Sequence, residues 1–174
     1  QVFSRDTVTG ALAGSQIVRD GVASFTGLDG VRDVVVSPND DFVYAVSATD
    51  DAAVAFARTA SGQLTFVNAE FDGVGGANGL DGAFAAAISP DGKNVYVASD
   101  VDDAVAIFGV VAGTGELSPG GFFQDGVGGA NGLATAQSVV VSPDGKHVYV
   151  GGRGADAIAF FTRDPNLGSL QFQT

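Results

Sequence analysis

The sequence predicts an all-β protein built from one repeated four-stranded antiparallel sheet, and three observations predict it. Three segments align around Ser-Pro pairs at Ser37, Ser89 and Ser142, so the repeat period is 52 or 53 residues. Each repeat contains four short β-like runs joined by short connections. The 174 residues include 26 Gly and only 5 Pro, which indicates many turns rather than a linker. An apolar content that fades from the first run to the last predicts an inner and an outer strand, which is the pattern of a β-propeller blade.

The four runs of each repeat can be justified in order. The first is apolar without alternation, as expected for a strand covered on both faces, and spans 34–36, 85–88 and 139–141. A turn follows, Ser-Pro-Asp-Gly-Lys in two copies, in which Pro presets φ and Asp-Gly tolerates a tight hairpin. The second run centres on a Tyr, the third reads Ala-Val-Ala-Phe or similar, and the fourth is weaker and more polar, at 64–67 and 170–172.

Recurring aromatic residues and the single His have structural interpretations. The series Tyr44, Tyr96 and Tyr149 predicts packing between blades with each hydroxyl hydrogen-bonded. A second series, Phe56, Phe108 and Phe160, predicts core between blades. His147 follows a turn and is interpreted as a surface residue rather than a catalytic base.

The repeat boundaries predict about three and a half blades in one propeller domain. Residues 1–30 match only the second half of a repeat and form a half blade, and the full blades are 31–82, 83–135 and 136–174. Known propellers close with roughly four to eight blades, so we expect an incomplete ring and a portion of a larger propeller. The partner would be the remaining blades of the same propeller. The alternative is a symmetry-related copy that completes the ring.

Composition excludes several classes of function. There are 20 Asp plus Glu against 8 Lys plus Arg, a formal charge of −12, which argues against nucleic-acid binding and against docking on anionic lipid. No apolar run is long enough for membrane insertion. With no Cys and one His, thiolate and multi-histidine metal sites and Cys nucleophiles are excluded. This composition is compatible with an extracellular or periplasmic location.

The acidic residues concentrate at one end of the predicted sheets. The connections from second to third strand and from fourth to first strand define a top end, with thirteen acidic residues against three Arg. The bottom end has seven acidic residues against five basic ones. This acidic top rim could attract a cation or a basic protein partner. The preference of Asp for turns and a contribution to solubility explain this concentration of acidic residues equally simply, and we favour that interpretation.

Two groups of top-end residues are candidate Ca²⁺ ligands. Asp72, Asn78 and Asp81 lie on a glycine-rich loop, and Asp102 and Asp103 open a third strand. Oxygen ligands on flexible backbone suit Ca²⁺, but the spacing is not that of an EF-hand loop. The favoured interpretations are a structural loop whose Asp side chains bind nearby backbone, and a solvated Asp pair.

The motif V-x-V-S-P-D-G-K-x-V-Y-V followed by D-x-A-V-A-x-F resembles the lactonase-like, YVTN-type β-propeller family. The resemblance covers nearly the whole chain and implies the propeller fold. The family includes sugar-lactone hydrolases and proteins whose role is binding. The polar residues placed near the axis at the top end for a ligand are Arg32, Asp33, Gln137 and Ser138, with Arg153 on a neighbouring loop.

The functional hypothesis from the sequence is a non-catalytic binding or scaffold surface, with no catalytic residue assigned. The positions of the second blade that correspond to the polar pairs are Phe84 and Ala85, interpreted as inert. No Ser-His-Asp arrangement can be assembled from the single His. The alternative is part of a lactonase-like hydrolase, in which case the reaction is lactone hydrolysis.

Overall fold

The structure is a computed structural model that describes residues 1–22 and 25–173. Ala23 and Ser24, in the first copy of the glycine-rich loop, and Thr174 lie outside the described residues. The described part consists of strands and connections, and none of its elements is a helix able to cross a membrane. The strands are β1 (Val2–Arg5), β2 (Leu12–Gln16), β3 (Val31–Val36), β4 (Phe42–Ser47), β5 (Ala52–Arg58), β6 (Leu64–Phe71), β7 (Ala83–Ile88), β8 (Asn94–Ser99), β9 (Ala104–Val110), β10 (Leu117–Gln124), β11 (Ala136–Val141), β12 (His147–Gly152), β13 (Ala157–Arg163) and β14 (Leu170–Gln173).

The strands form one two-stranded and three four-stranded antiparallel sheets, which confirms the predicted fold class. We call β1–β2 the half blade, β3–β6 blade 1, β7–β10 blade 2 and β11–β14 blade 3. Within each sheet the strands pair in chain order, as in a meander. The turn between the first two strands of a blade is closed by its Ser. In blade 2 the Ser89 hydroxyl donates to Asp91 and accepts from the Asn94 N–H at 3.0 Å.

The sheets pack face to face, and the apolar core lies in the seams between them. One cluster joins blades 1 and 2, a second joins blades 2 and 3, and a third lies on the opposite face of blade 1. The expectation that first strands are covered on both faces therefore holds best for β7, which has a blade on each side. At the corresponding positions Ala86 and Val139 are 7% and 6% exposed, whereas Val34 in β3 is 52% exposed.

The seam between blades 2 and 3 holds a buried Arg that we call the Arg163 clasp. Arg163 is 4% exposed, and its Nη2 donates to both carboxylate oxygens of Asp91 at 3.0 Å. Its Nε donates to the Tyr96 hydroxyl at 2.8 Å, and its Nη1 donates to the Gly145 carbonyl at 2.9 Å. The Tyr96 hydroxyl in turn donates to the Gly168 carbonyl at 2.8 Å. Blade 3 thus binds the turn and second strand of the blade before it.

The other two seams use a neutral side-chain amide near the outer strands. Asn68 of β6 donates to the Leu117 carbonyl at 2.9 Å and accepts from the Leu117 N–H at 3.0 Å. Gln16 of β2 makes the same pair of bonds with Leu64, at 3.0 and 2.7 Å. Each side chain satisfies both polar groups of one residue at the start of the next fourth strand, so we call these contacts the amide clamps.

Two aromatic interpretations need correction. The Tyr series does not have every hydroxyl satisfied: Tyr96 is bonded in the Arg163 clasp, Tyr149 is exposed, and the buried Tyr44 hydroxyl has no partner among the described residues. In blade 2, β9 has Val110 at the position where β13 of blade 3 has Arg163, so no donor or acceptor from blade 2 reaches Tyr44.

The Phe series was aligned wrongly in blade 3. Phe56 pairs with Val43 and Phe108 with Val95, and the matching pair in blade 3 is Val148 with Phe161. Phe160, the residue chosen from the sequence, is only half-buried and stacks on Tyr149 with ring centroids 5.2 Å apart. Two consecutive Phe residues in β13 made the register ambiguous in the sequence.

Candidate functional site

The top ends of the three inner strands carry the same irregularity. In each blade the pairing between first and second strand shifts after one residue: between Val31 and Asp33, between Ala83 and Ala85, and between Ala136 and Ser138. The residue skipped by the pairing is Arg32, Phe84 or Gln137. A β-bulge re-aims its side chain and is over-represented beside active sites. We call these three positions the bulge row.

Neighbouring members of the bulge row contact each other across the seam between blades 1 and 2. The Arg32 guanidinium lies over the Phe84 ring, 5.5 Å from its centroid. Phe84, interpreted as inert from the sequence, therefore supports a candidate ligand residue. A guanidinium stacked on an aromatic ring keeps its N–H groups directed sideways and available to an oxygen ligand.

Asp33 follows Arg32 and joins blade 1 to blade 2. Its Oδ2 accepts from the Ala86 N–H at 2.9 Å, and its Oδ1 accepts from the Val34 N–H at 2.8 Å. Both carboxylate oxygens thus accept backbone N–H groups. The side chain is therefore suited to fixing the position of the bulge row.

Three predicted ligand residues of blade 3 lie around one depression. Gln137, Ser138 and Arg153 line a shallow, open depression of about 420 Å³, together with Asp156. Gln137 also donates from Nε2 to Asp100 Oδ2 at 3.1 Å, which links the bulge row to the connection between β8 and β9. Asp100 was not among the predicted site residues, because no spacing rule joins it to Gln137.

The structure thus divides the predicted ligand residues into two groups along the top end. Arg32 and Asp33 lie on β3, and Gln137, Ser138 and Arg153 lie on blade 3. β7 stands between them with Phe84 at its bulge. The residues share a row but do not converge on one point, and their roles stay predictions.

The acidic top rim consists largely of carboxylates that hold backbone. In the three glycine-rich loops, Asp20, Asp72 and Asp125 accept from the N–H of the Leu eight residues later, at 3.0, 3.0 and 2.8 Å. Asp102 accepts from the Asp81 N–H at 3.0 Å. Asn78 donates to the Gly76 carbonyl at 3.2 Å within its own loop.

A second set of rim carboxylates braces one blade against the next. Asp51 accepts from the Gly82 N–H at 2.9 Å, and Asp103 accepts from the Thr135 N–H at 2.6 Å. Gly82 and Thr135 occupy the same left-handed position, with φ of 69° and 51°. Asp156 is the matching residue of blade 3, and it is exposed at the open end of the arc of blades.

The rim carboxylates are close enough to affect one another's ionisation. Burial and the carboxylates of Asp51, Asp72 and Asp100 raise the pKa of Asp81 above its ordinary value. Burial likewise raises the pKa of Asp102, with nearby carboxylates adding to the effect and the Asp81 N–H opposing it. The top rim therefore concentrates negative charge around Asp81 and Asp102.

These contacts do not assemble the predicted Ca²⁺ ligands into a coordination sphere. Across residues 1–22 and 25–173, no group of three or more His, Asp or Glu side chains is arranged to hold a metal ion. Asp72, Asp102 and Asp103 each use a carboxylate oxygen on backbone N–H. Cation binding here stays a prediction, and melting in millimolar CaCl₂ against NaCl at equal ionic strength would measure it.

Comparison with known proteins assigns the architecture to a family. The model of the seven-bladed β-propeller lactonases matches residues 1–120 and again residues 85–174. A curated protein named 6-phosphogluconolactonase, from Pectobacterium carotovorum, is 25% identical over 146 residues, which is 83% of this chain and 43% of that protein. The chain thus spans somewhat less than half the length of the curated relative.

Solved structures show the same fold. A Bacteroides uniformis protein assigned as a 6-phosphogluconolactonase superposes with a TM-score of 0.79 at 22% identity, over 98% of this chain and 46% of that one. The periplasmic gluconolactonase PpgL of Pseudomonas aeruginosa superposes with a TM-score of 0.72 at 24% identity, over 88% of this chain and 41% of that one.

These matches overturn the first functional hypothesis. A non-catalytic binding or scaffold surface was expected because no catalytic triad could be assembled from the sequence. The family and the names of its relatives favour the alternative, a lactonase-like hydrolase. The hypothesis failed because it required a familiar nucleophile, whereas a lactone can be opened by an activated water. By its fold, its repeat and its family match, the chain belongs to the seven-bladed β-propeller lactonase family.

Proposed function

We propose that this chain forms part of a lactone hydrolase and supplies one wall of its substrate site through the bulge row. The observation that supports the proposal is the recurrence of one bulge at the top of three inner strands, with Arg32, Phe84 and Gln137 at the re-aimed position. At these equivalent positions the Arg32 guanidinium lies over the Phe84 ring and the Gln137 amide donates to Asp100, so cationic, aromatic and amide groups stand together at the top end.

Lactone hydrolysis sets clear chemical requirements. Water adds to the carbonyl carbon, the bond from that carbon to the ring oxygen breaks, and the ring oxygen leaves as a hydroxyl after gaining a proton. The tetrahedral intermediate needs cationic or N–H donors for its oxyanion, and the attacking water needs a base. Arg32 and Arg153 supply guanidinium donors at the top end.

Asp100 is the carboxylate that we propose as the base. Its Oδ2 accepts a hydrogen bond from Gln137 Nε2 at 3.1 Å, which fixes the orientation of the carboxylate beside the bulge row. Asp33, by contrast, uses both oxygens on backbone N–H. His147 starts β12 at the bottom end, away from the bulge row.

A polar, anionic sugar lactone is the substrate class that suits these side chains. Planar guanidinium groups bind phosphate and carboxylate oxygens with two parallel hydrogen bonds. The name of one relative, 6-phosphogluconolactonase, is consistent with an anionic lactone, whereas gluconolactonase, the name of another, refers to a neutral sugar lactone. The surrounding acidic rim opposes binding of an anion, so the two Arg side chains would have to supply the local attraction.

Ligand binding and hydrolysis test this proposal. We expect the chain to bind 6-phosphogluconate, the stable product, in saturation-transfer NMR, and to bind gluconate more weakly. Arg32→Met should weaken phosphogluconate binding about tenfold, the scale of one lost charged contact. Lys146→Met removes an exposed cation at the bottom end and serves as the matched control.

Turnover gives the second readout. Release of acid from 6-phosphoglucono-δ-lactone by the complete propeller that contains this chain should exceed the buffer rate, and Asp100→Asn should lower kcat with little change in KM. If the complete propeller neither binds the product nor hydrolyses the lactone faster than buffer, the proposal is wrong.

We also propose a location outside the cytoplasm, extracellular or periplasmic. The support is the periplasmic gluconolactonase of Pseudomonas aeruginosa, which shares the fold, together with a composition compatible with export. Fractionation of the producing cells followed by immunodetection would test it. Recovery of the protein only in the cytoplasmic fraction would contradict it.

A further inference from the structure

We propose that Asn78 and Asn131 are sites of spontaneous deamidation, and that the fold makes Asn131 the faster of the two. Each Asn is followed by Gly, in the loop that connects one blade to the next. We call residues 72–82, between blades 1 and 2, the Asn78 loop, and residues 125–135, between blades 2 and 3, the Asn131 loop. Their sequences are identical over 72–80 and 125–133, so a difference in rate would come from the surrounding structure.

Deamidation at an Asn-Gly pair is an intramolecular reaction that needs only water. The backbone nitrogen of Gly loses its proton and attacks Cγ of Asn, so the N–Cγ bond forms, the Cγ–Nδ2 bond breaks, and Nδ2 takes up a proton and leaves as ammonia. Water then opens the cyclic imide at Cγ, which gives Asp, or at the main-chain carbonyl, which gives isoaspartate. One water enters and one ammonia leaves, with no change of oxidation state.

Both loops present the reacting groups in accessible form. Asn78 and Asn131 are exposed, and within residues 1–22 and 25–173 no acceptor binds the N–H of Gly79 or of Gly132. These two Gly residues have φ of 82° and 85°, in the left-handed region that favours glycine. The conformation of each loop therefore requires the Gly that makes its Asn reactive.

The electrostatic surroundings of the two loops differ in sign. The Asn78 loop and the turn packed on it carry Asp81, Asp100 and Asp102, and the residues at the same positions around the Asn131 loop are Ala134, Arg153 and Ala155. A nitrogen that must become anionic to react is disfavoured by nearby negative charge and favoured by nearby positive charge. The charges therefore slow the reaction in the Asn78 loop relative to the Asn131 loop.

The turns that carry these charges pack on the loops in the same way. The Asp100 N–H donates to the Gly82 carbonyl at 3.1 Å, and the Arg153 N–H donates to the Thr135 carbonyl at 3.0 Å. The carboxylate of Asp102 also accepts the N–H of the residue two positions after Gly79, at 3.0 Å. The difference in charge is thus applied close to the reacting nitrogen.

A hydroxyl group restrains the Asn78 loop but has no counterpart at the Asn131 loop. The Ser99 hydroxyl donates to the Gly79 carbonyl at 2.7 Å. The residue at that position in blade 3 is Gly152, which has no side chain to donate. Gly79 is buried, whereas Gly132 is half-buried and more open to water. Because closing the imide ring rotates the backbone around the Gly, we expect ring closure to be easier in the Asn131 loop.

The reaction would change the top end of the molecule with time. Each conversion replaces a neutral amide by a carboxylate, so the negative charge of the top rim would increase with the age of the protein. The change would begin at blade 3, on the loop that packs against the Arg153 turn.

Ageing of the 174-residue chain at neutral pH over several weeks tests the proposal. The tryptic peptides 59–93 and 94–146 contain one Asn-Gly pair each, so mass spectrometry follows the two sites separately. We expect Asn131 to convert about threefold faster than Asn78, which is the scale of a surface charge interaction. Labelling by an isoaspartyl methyltransferase should detect the isoaspartate product. Asn166, which is exposed and followed by Leu, is the internal control and should remain an amide.

Two substitutions test the electrostatic cause. Asp81→Ala gives the Asn78 loop the residue of the Asn131 loop and should speed conversion of Asn78. Glu116→Ala removes an exposed acid at the bottom end and should change neither rate. High salt should narrow the difference between the two sites, because it screens the exposed charges.

Two further measurements separate the fold from the local sequence. Asn131→Thr should abolish conversion at that position while preserving the loop, since the first copy of the loop has Thr26 there and Gly27 keeps a φ of 82°. In concentrated urea the rates of the two Asn-Gly pairs should become nearly equal.

Three results would overturn the proposal. One is conversion of both sites no faster than that of Asn166. Another is conversion of Asn78 in the folded chain at a rate equal to or above that of Asn131. The third is a difference between the two sites that urea leaves unchanged, which would assign it to the sequence alone.

Discussion

Two tyrosines at corresponding positions have opposite polar environments. The Tyr96 hydroxyl donates to the Gly168 carbonyl and accepts from Arg163, whereas the buried Tyr44 hydroxyl has no partner among the described residues. Burial raises the pKa of Tyr44 to about 12, which is the response of a phenol that cannot ionise in an apolar seam. The difference arises from one residue, because Val110 stands where blade 3 has Arg163.

The two matched Tyr→Phe substitutions should therefore change the free energy of unfolding in different directions. Tyr44→Phe removes an unsatisfied buried hydroxyl and should leave the free energy of unfolding unchanged or raise it by up to about 1 kcal/mol. Tyr96→Phe should lower it by about 1–3 kcal/mol, because Arg163 and Gly168 lose their partner. Urea unfolding of both variants measures this, and equal losses of stability would contradict it.

Asp81 is a residue whose charge opposes folding. Burial and the nearby carboxylates raise its pKa, and its carboxylate accepts no hydrogen bond within the described residues. Since the folded pKa lies above the unfolded value, ionisation at neutral pH costs stability. That cost disappears as the pH falls below the unfolded pKa of about 4.

Asp81→Asn should accordingly raise Tm at pH 7, by an amount corresponding to about 0.5 kcal/mol. The gain should shrink toward zero at pH 3 but only in part in about 1 M NaCl, because salt screens the repulsion between carboxylates beyond about 3 Å and leaves the cost of burial. Asp144→Asn is a useful contrast, because hydrogen bonds from Ser142 and Lys146 lower the pKa of Asp144. A gain for Asp81→Asn that is independent of pH would contradict the electrostatic cause.

At the scale of strands, the sequence predicts the repeat and its strands but not the contacts between one repeat and the next. The Ser-Pro turns and the Tyr spacing predict where strands begin and end, since turn chemistry is local in sequence. The bulge row escaped prediction because pairing register depends on two strands at once. The Arg163 clasp escaped it because Arg163 and its partner Asp91 are 72 residues apart.

The clasp gives a matched test at the level of elements. Arg163 Nη2 also donates to Asn94 Oδ1 at 2.7 Å. Arg163→Met leaves Asp91 and Asn94 without this buried donor and should destabilise the chain by about 3 kcal/mol. Arg58→Met alters the corresponding residue of blade 1, which has only its Asp40 contact, and should cost less than about 0.5 kcal/mol. Thermal unfolding of both variants distinguishes them, and similar losses would mean that the clasp contributes little.

At the scale of the molecule, the arc of blades has two different end faces. On blade 3 the outward face carries Tyr149 and Ile158, 37% and 74% exposed. The residues that match Ile158 are Ala53 and Val105, which are 1% and 0% exposed because another blade covers them. The chain therefore presents at its end a surface that is core elsewhere.

Ile158→Lys should reduce self-association without disturbing the fold. A charged residue breaks the exposed apolar patch, and the position packs against nothing within the arc. Sedimentation velocity over a range of concentrations would show the reduction, with circular dichroism unchanged. Val105→Lys is the contrast, because a charge buried between blades 2 and 3 should unfold the chain.

The candidate site shows how far sequence reasoning carries function. The polar positions at the top of the inner strands were identified because a propeller places them near its axis. Phe84 was dismissed and Asp100 overlooked, because each matters only through a neighbour, Arg32 or Gln137, on another blade. The choice against catalysis failed because the residues alone do not reveal which chemistry a shared scaffold supports.

The Arg163 clasp adds an acid-sensitive contact to the seam between blades 2 and 3. The Asn68 clamp between blades 1 and 2 is a neutral amide and has no proton to gain in this range, although the carboxylates of Asp33 and Asp51 also cross that seam. Burial tends to raise the pKa of Asp91, but hydrogen bonds from Ser89, Arg163 and Lys93 lower it below the ordinary value. Its contribution is therefore complete above about pH 4 and is lost as the pH falls through the lower, folded pKa.

Because the Arg163 clasp weakens when Asp91 is protonated, we expect blade 3 to separate from blade 2 first when the pH is lowered. Hydrogen exchange at pH values from 5 to 2.5 should show β11–β14 losing protection while β3–β6 remain protected. Acid would then open the continuous repeat at the seam between blades 2 and 3, and the half blade with blades 1 and 2 would stay folded.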